Sequence, residues 1–399
     1  MITISLCLLV LALLLLGAIA LLGRSHVLMA NHGPRPADHP AFASLDGRWP
    51  PIGLVIPMHG DRPTMREAVA SMLDQDYPEL TVVLVTAEED DPATNIARGH
   101  AASRGNVHHV IAGEAETNAQ KLHNQLAGIA LLEELDSPPE ILAFSDSTHL
   151  APQGHLRELI LPLVKADAFA VTGYHRVAPQ DIRLTTLMYA FAVLGLHLMQ
   201  GIPLLSQSWG GAMALARRTY HQHGVGELWR TNIVDDVSLT VLANKLGRRV
   251  TNASRACLVS PARDTTLDFW IAWLTRQVLY LRFCMPGTWL AAALGFLLLA
   301  APPFIAVGLV IASLVGLVCS GAGFAGVGFL VIGGTLILST RSLIPENPPI
   351  LRWLMAGAAT LVLAAWCYLR TWTARRMVWG IKAYAVGRGG KVKRVETIR

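Results

Sequence analysis

Three acidic motifs close apolar, strand-like runs of this chain. They are Glu88-Glu89-Asp90-Asp91 after LTVVLV, Asp146 after EILAFS, and Asp235-Asp236 after TNIV. Carboxylates at strand ends collect in the crevice outside the carboxyl edge of an open α/β sheet, where such folds bind ligands. Several carboxylates around one divalent cation suit a nucleotide diphosphate, because Mg2+ or Mn2+ takes oxygens from one or two carboxylates and the rest from phosphates. A single motif of this kind could be turn punctuation, since Asp favours turns; three in this order argue together. Lys121 and Asn124 add a second polar feature, three residues apart on one face of an expected helix. The histidines at 59, 108, 109, 123, 221 and 223 fall on separate elements, apart from two local pairs, and read as loop and surface groups. The five cysteines show no metal-binding spacing and read as small core hydrophobes in a reducing compartment.

The elements that must position these residues alternate strand with helix. Strands are expected at Ile52 to Pro57, Thr81 to Thr86, Val107 to Ile111 and Ile141 to Ser145. Helices are expected at Thr64 to Leu73, from Thr94 to about Arg104, and at Asn118 to Leu135. Such alternation means an α/β fold with a doubly wound, mostly parallel sheet. The apolar stretch from Thr186 to Leu205 could pass for a membrane span. Crossing there would put Asp236 on the other side of a membrane from Asp91 and Asp146, so it reads as a helix packed on the domain or lying in the interface.

Hydrophobic residues make up 52% of the chain and charged residues 15%, against about 25% charged in soluble domains. The excess is localised. Ile2 to Leu22 is long enough for a hydrocarbon core of about 30 Å, and no basic region precedes it as in a signal peptide. A second apolar block runs from Trp289 to Ser339, interrupted by Pro302-Pro303 and the glycine-rich 320–328, and a third from Trp353 to Tyr368. The expected organisation is an anchor at 1–23, a linker at 24–51, a catalytic-type domain at 52–264, an interfacial helix at 265–286, a bundle of three or four spans at 287–369 and a basic cytoplasmic tail at 370–399. Arginine and lysine at Arg24 and throughout the tail place both flanks on the cytoplasmic side, which demands an even number of C-terminal crossings. The net charge of +5 is mostly this tail. Without a recognition motif it excludes nucleic acid as a partner and sets topology. Nothing in the sequence fixes an oligomeric state.

In this order the motifs resemble those of membrane-bound family 2 glycosyltransferases, most closely the ceramide glucosyltransferase branch, family 21. The resemblance rests on Asp90-Asp91-Pro-Ala, on Asn118-Ala-Gln-Lys121-Leu-His-Asn124, on Phe144-Ser-Asp146-Ser, on Ser208-Trp-Gly-Gly, on Val234-Asp235-Asp236 and on the terminal WGIKAYAVGRGGKV. It implies a GT-A fold and transfer from a nucleotide-activated sugar. Donor binding would fall to Pro57, Glu89, Asp91, Lys121, Asn124 and Asp146, with Asp91 on the nucleotide and Asp146 holding Mg2+ or Mn2+ on the diphosphate. Asp236 would be the general base for an acceptor hydroxyl, in an inverting displacement, and Asp235 would orient the loop or a basic partner.

Two departures from the family pattern bear on these roles. The usual Asp-x-Asp metal motif reads Asp146-Ser147-Thr148, and His149 is the candidate to replace its second carboxylate. The Gln-x-x-Arg-Trp motif reads Trp273-Leu-Thr-Arg276-Gln277, which makes Arg276 the candidate for stabilising diphosphate charge. A membrane-boundary role for Arg276 and Arg282 is the competing reading. The partners implied are a nucleotide sugar donor, a lipid acceptor and the membrane, with UDP-glucose and ceramide as the branch default. The competing functions are a processive polysaccharide synthase and a non-catalytic lipid-binding scaffold.

Overall fold

The computed structural model describes residues 2–43 and 48–398; part of the expected linker, 44–47, lies outside them. The chain forms two compact units. One comprises residues 29–176, 206–260 and 375 onward; the other comprises residues up to 28, 177–205 and 261–374.

The first unit is built on a seven-stranded sheet. Its strands are β1 (Ile52–Pro57), β2 (Leu80–Thr86), β3 (Val107–Ile111), β4 (Ile141–Ser145), β5 (Ala170–Pro179), β6 (Ala212–Ala216) and β7 (Val250–Ala262), in the order β3-β2-β1-β4-β6-β5-β7. The pairs β1–β2, β1–β4 and β2–β3 are parallel, whereas β6 runs antiparallel to both β4 and β5. Runs such as IGLVI and LTVVLV are apolar almost throughout because a central parallel strand is covered on both faces; Leu54, Val55 and Ile56 are buried, as are Val82 to Val85. The helix Gln120–Glu133 lies against β1 and β2. Gly128 lets it approach, since a Cβ there would stand 2.5 Å from a Val55 methyl. The order reverses between β1 and β4, so their carboxyl ends frame the crevice expected of a doubly wound sheet.

Residues beyond 375 form a second, three-stranded sheet in the same unit: β8 (Met377–Trp379), β9 (Lys382–Val386) and β10 (Val392–Thr397), antiparallel in the order β10-β9-β8. The sequence presents this segment as a basic tail. Local patterning does not show that it is folded onto residues 231–233, more than 150 positions earlier.

The second unit is helical. Four of its helices are long and apolar enough to cross a membrane: Ile2–Asn31, Pro286–Leu314, Ser320–Leu343 and Ile350–Thr373. Pro302 and Pro303 lie inside the second of these without ending it, which favours three spans over the alternative of four. Helix breakers are tolerated in apolar helices where neighbours re-satisfy the freed backbone groups. The glycine-rich stretch likewise opens the helix Ser320–Ser339 instead of interrupting one. Small residues permit close approach: a Cβ at Gly23 would meet the Leu198 carbonyl oxygen at 2.1 Å. Two shorter helices complete the unit, Leu184–Gln200 and Leu267–Cys284. Polar side chains tie its helices together, with Trp289 Nε1 donating to Thr371 Oγ1 (3.0 Å), Tyr368 Oη to the Trp289 carbonyl (3.0 Å) and Arg282 to the carbonyls of Thr371 and Ala374.

Candidate active site

Two of the expected carboxylates meet on one ammonium group, and a third stands next to one of them in sequence. Lys121, in the first turn of Gln120–Glu133, reaches Asp146 Oδ1 at 2.8 Å and Asp235 Oδ2 at 3.1 Å, and donates to the Gly210 carbonyl at 3.1 Å. Asp146 follows β4 directly. Asp235 and Asp236 stand at the start of the helix Asp236–Lys245. Asp235 is 2% exposed and accepts from Gln125 Nε2 at 2.8 Å. Asp236 is held by backbone instead, its carboxylate accepting from Gly210 N at 2.8 Å and Val237 N at 2.6 Å.

These surroundings drive the carboxyls apart. Burial alone would push Asp146 up, but Lys121 and then His149 hold it well below the usual carboxylate range. Burial followed by repulsion from Asp235 pushes Asp236 up to about 7, against the opposing pull of Lys121 and of the Gly210 and Val237 N–H groups. For Lys121, burial is outweighed by Asp146, Asp235 and Asp236, so its ammonium stays charged. The cluster therefore holds one carboxylate fixed as an anion, one buried in an ion pair, and one able to exchange a proton near neutrality. Divergent pKa values of this kind mark acid–base work.

The sequence profile of Glycosyl transferase family 21 matches residues 9–392, nearly the whole chain. The chain belongs to Glycosyl transferase family 21. It is a glycosyltransferase with the GT-A type of α/β fold, moving a sugar from a nucleotide-sugar donor. No curated protein matches the sequence. Among solved structures, it is similar to a mannosyltransferase from Pyrobaculum calidifontis in complex with GDP-Man and Mn2+, at 18% identity and a TM-score of 0.48 over 89% of this chain and 99% of that one. It is also similar to glucosyl-3-phosphoglycerate synthase from Mycobacterium tuberculosis in complex with Mn2+, UDP and glucosyl-3-phosphoglycerate, at 18% identity and a TM-score of 0.37 over 62% of this chain and 84% of that one.

At the family 21 site, Asp146 and His149 would be the protein ligands of a divalent cation. His149 Nε2 lies 3.6 Å from Asp146 Oδ2, and two ligands about 2.1 Å from a shared cation stand about 3 to 4 Å apart. Behind it, the Nδ1 atoms of His149 and His175 each lie 2.7 Å from Ser260 Oγ. A hydroxyl donates only one proton, so at least one imidazole donates to it. A neutral His149 that donates from Nδ1 would have its Nε2 lone pair free for a cation held between it and Asp146, in place of the contact it makes to that carboxylate without one, the arrangement common to metal-ligating histidines. Among the described residues no three His, Cys, Asp or Glu side chains converge as a metal site. The other ligands would then come from diphosphate oxygens and water, as is usual for Mg2+.

The other expected residues have surroundings of their own. Asp91 caps the helix Pro92–Ser103, its Oδ1 accepting from Ala93 N and Gly60 N at 2.8 Å while Oδ2 lies 2.7 Å from His59 Nδ1. Asn124 is buried, accepting from Gln120 Nε2 at 2.8 Å and donating to the Val85 carbonyl at 3.4 Å. Pro57 ends β1, and Glu89 is exposed and paired with Arg98. Arg276 belongs to the helical unit, on Leu267–Cys284. Sequence reasoning missed Gln125, His175, Ser260 and the steric role of Gly210, where a Cβ would lie 2.6 Å from an Asp235 oxygen and 2.7 Å from Lys121 Nζ. It also missed Trp209, whose ring stacks on His175 at 4.6 Å. The Trp-Gly-Gly run was the available signal, but its partners are remote in sequence.

Proposed function

We propose that this glycosyltransferase places a sugar, in the first instance glucose from UDP-glucose, on the hydroxyl of a membrane lipid such as ceramide, with inversion at the anomeric carbon. The observation that carries this reading is the division of labour among three carboxylates: Asp146 and Asp235 are ion-paired with Lys121, while Asp236 is held by backbone N–H groups with its pKa raised to about 7. Asp236 takes the acceptor proton as the hydroxyl oxygen attacks and the diphosphate leaves. Asp146 and His149 would hold Mg2+ or Mn2+, which supplies positive charge to the leaving diphosphate. Arg276 remains a candidate for the same charge. A lipid acceptor is favoured by the helical unit, with its four long apolar helices. Mass spectrometry of lipids from cells with and without the protein tests the acceptor. A glycolipid that disappears with the gene supports it, whereas a ladder of polymer lengths on a gel favours a processive synthase. Activity should require Mn2+ or Mg2+ at about millimolar concentration, and full turnover in excess EDTA would remove the cation from the reading.

The same reading fixes a topology. Strands β5 and β6 pair in one sheet, so the intervening helix Leu184–Gln200 must return to the side it left. Residues 389–392 bond to residues 231–233, so an even number of helices cross between β7 and the tail. Three candidates lie there, so one does not cross. We assign that place to Ile350–Thr373, which has Arg352 in its first turn, Arg370 in its last, and Arg341 shortly before it. Positive charge at both ends fits a helix lying on the cytoplasmic face, with Ile350, Leu351, Trp366 and Trp372 exposed to lipid. By contrast the turn 315–319 is uncharged. In intact cells an impermeant thiol reagent should modify native Cys319, which is exposed, and should miss engineered Ser103→Cys and Asn347→Cys. Modification of Asn347→Cys from outside would return Ile350–Thr373 to the crossing helices.

A further inference from the structure

The last 25 residues contain no group that the proposed chemistry uses, yet they are bonded to the loop that presents the base. Val392 N donates to the Thr231 carbonyl at 2.8 Å, and Ile233 N donates to the Gly390 carbonyl at 2.9 Å. Asn232 Nδ2 donates to the Gly389 carbonyl at 3.2 Å, and a β-bridge joins Asn232 to Lys391. Three and four residues after Asn232 come Asp235 and Asp236. The same asparagine accepts from Ala119 N at 3.0 Å through its carbonyl, and Ala119 is the residue before the Lys121 helix. Gln120 N donates to Tyr384 Oη at 3.4 Å, and Lys382, 10% exposed, pairs with Glu114 at 3.3 Å. The turn between β9 and β10 is Arg388-Gly389-Gly390, with φ of +74° and +78° at the two glycines, a conformation that residues with a Cβ seldom adopt.

We infer that the β9–β10 turn and the start of β10 are a positioning element for catalysis, fixing the 231–234 loop so that Asp236 and Lys121 keep their register. The inference rests on Asp236 being the base. The contacts of residues 389–392 with 231–233 are made by main-chain groups of the tail, so its strand geometry matters there and the exposed basic side chains of β10 do not. Lys393 and Arg394 point to solvent and serve as neutral positions.

The discriminating pair is Val392→Pro and Val392→Ala in the full-length protein. Proline removes the N–H that bonds Thr231; alanine keeps it. Rates are normalised to the number of molecules that bind UDP. Val392→Pro should lower kcat by about 10- to 100-fold, the scale of a small misplacement of a catalytic group, with KM for the donor changed less than about threefold. Its acid limb should move to lower pH as the loosened loop admits water around Asp236. Val392→Ala and Arg394→Ala should match the parent. If Val392→Pro does not fold, Gly390→Ala, which strains the same turn, reads the same quantities. A normal kcat per binding-competent molecule, or an unmoved acid limb, overturns the inference and leaves the tail as structural support. Asp236→Asn run alongside separates the two readings: if it is inactive while Val392→Pro is normal, only the tail inference fails, and if it is active, the assignment of the base fails first.

Discussion

Two acidic loops of this enzyme look alike in sequence and are used differently. Asp91 and Asp236 each follow an apolar run, each has an acidic neighbour, and each stands at the start of a helix. Asp91 spends both oxygens on its own surroundings, accepting from Ala93 N and Gly60 N and facing His59. Asp236 is also bonded to backbone, but it lies against Asp235 in a desolvated pocket and carries a raised pKa. A carboxylate satisfied by N–H groups braces a loop, whereas one crowded by another carboxylate holds a proton it can exchange. Residue type and location do not decide between these roles; the neighbouring charges do.

The contrast breaks most directly at Asp236. Asp236→Asn keeps shape and hydrogen bonding but loses basicity, so transfer should fall by about 10²- to 10⁴-fold while UDP binding and melting temperature stay near the parent. Normal transfer would dissolve the distinction. The next effect is on pH. A base must be deprotonated to act, so with a pKa of about 7 activity should fall as pH drops below neutrality. Asp235→Asn removes one of the interactions that raise that pKa, so the acid limb should shift to lower pH. A shift to higher pH, or loss of turnover with binding intact, would move the base to Asp235. The smallest effect belongs to Asp91→Ala. Loss of a helix N-cap costs about 0.5–2 kcal/mol, so the protein should melt earlier and bind UDP more weakly, with kcat at saturating donor nearly unchanged. A large fall in kcat at full saturation would put Asp91 on the side of Asp236.

The parts of this arrangement that were legible in sequence are those set by local pattern. ILAFS and LTVVLV are buried strands because a covered parallel sheet needs continuous apolar runs, and Asp146 follows one of them. The helix expected from Thr94 to about Arg104 was found two residues earlier, at Pro92–Ser103 with Asp91 as its cap. The rest depends on long-range pairing. Lys121 was read from its own helix face, but its partner Asp235 lies more than a hundred positions away, as does Gln125's hold on the same carboxylate. Gly210 looked like one small residue among several until Asp235 and Lys121 were found where its side chain would be. Pro302-Pro303 left the number of spans open in the sequence, because the rule that proline ends a helix is relaxed in an apolar bundle. The tail was misjudged for the opposite reason: its lysines and arginines dominate the composition, while its folding depends on glycines and main-chain groups.

That tail also orders events during synthesis. A growing chain makes every carboxylate of the site before the last three of its long apolar helices, and makes residues 389–392 only after all four. Domains fold as they emerge from the ribosome, but here the loop carrying Asp235 and Asp236 waits for the final segment. On the inference that the tail positions this loop, a chain cut short between residues 375 and 388 should keep its long apolar helices and Asp146, Asp235 and Asp236, and yet transfer no sugar.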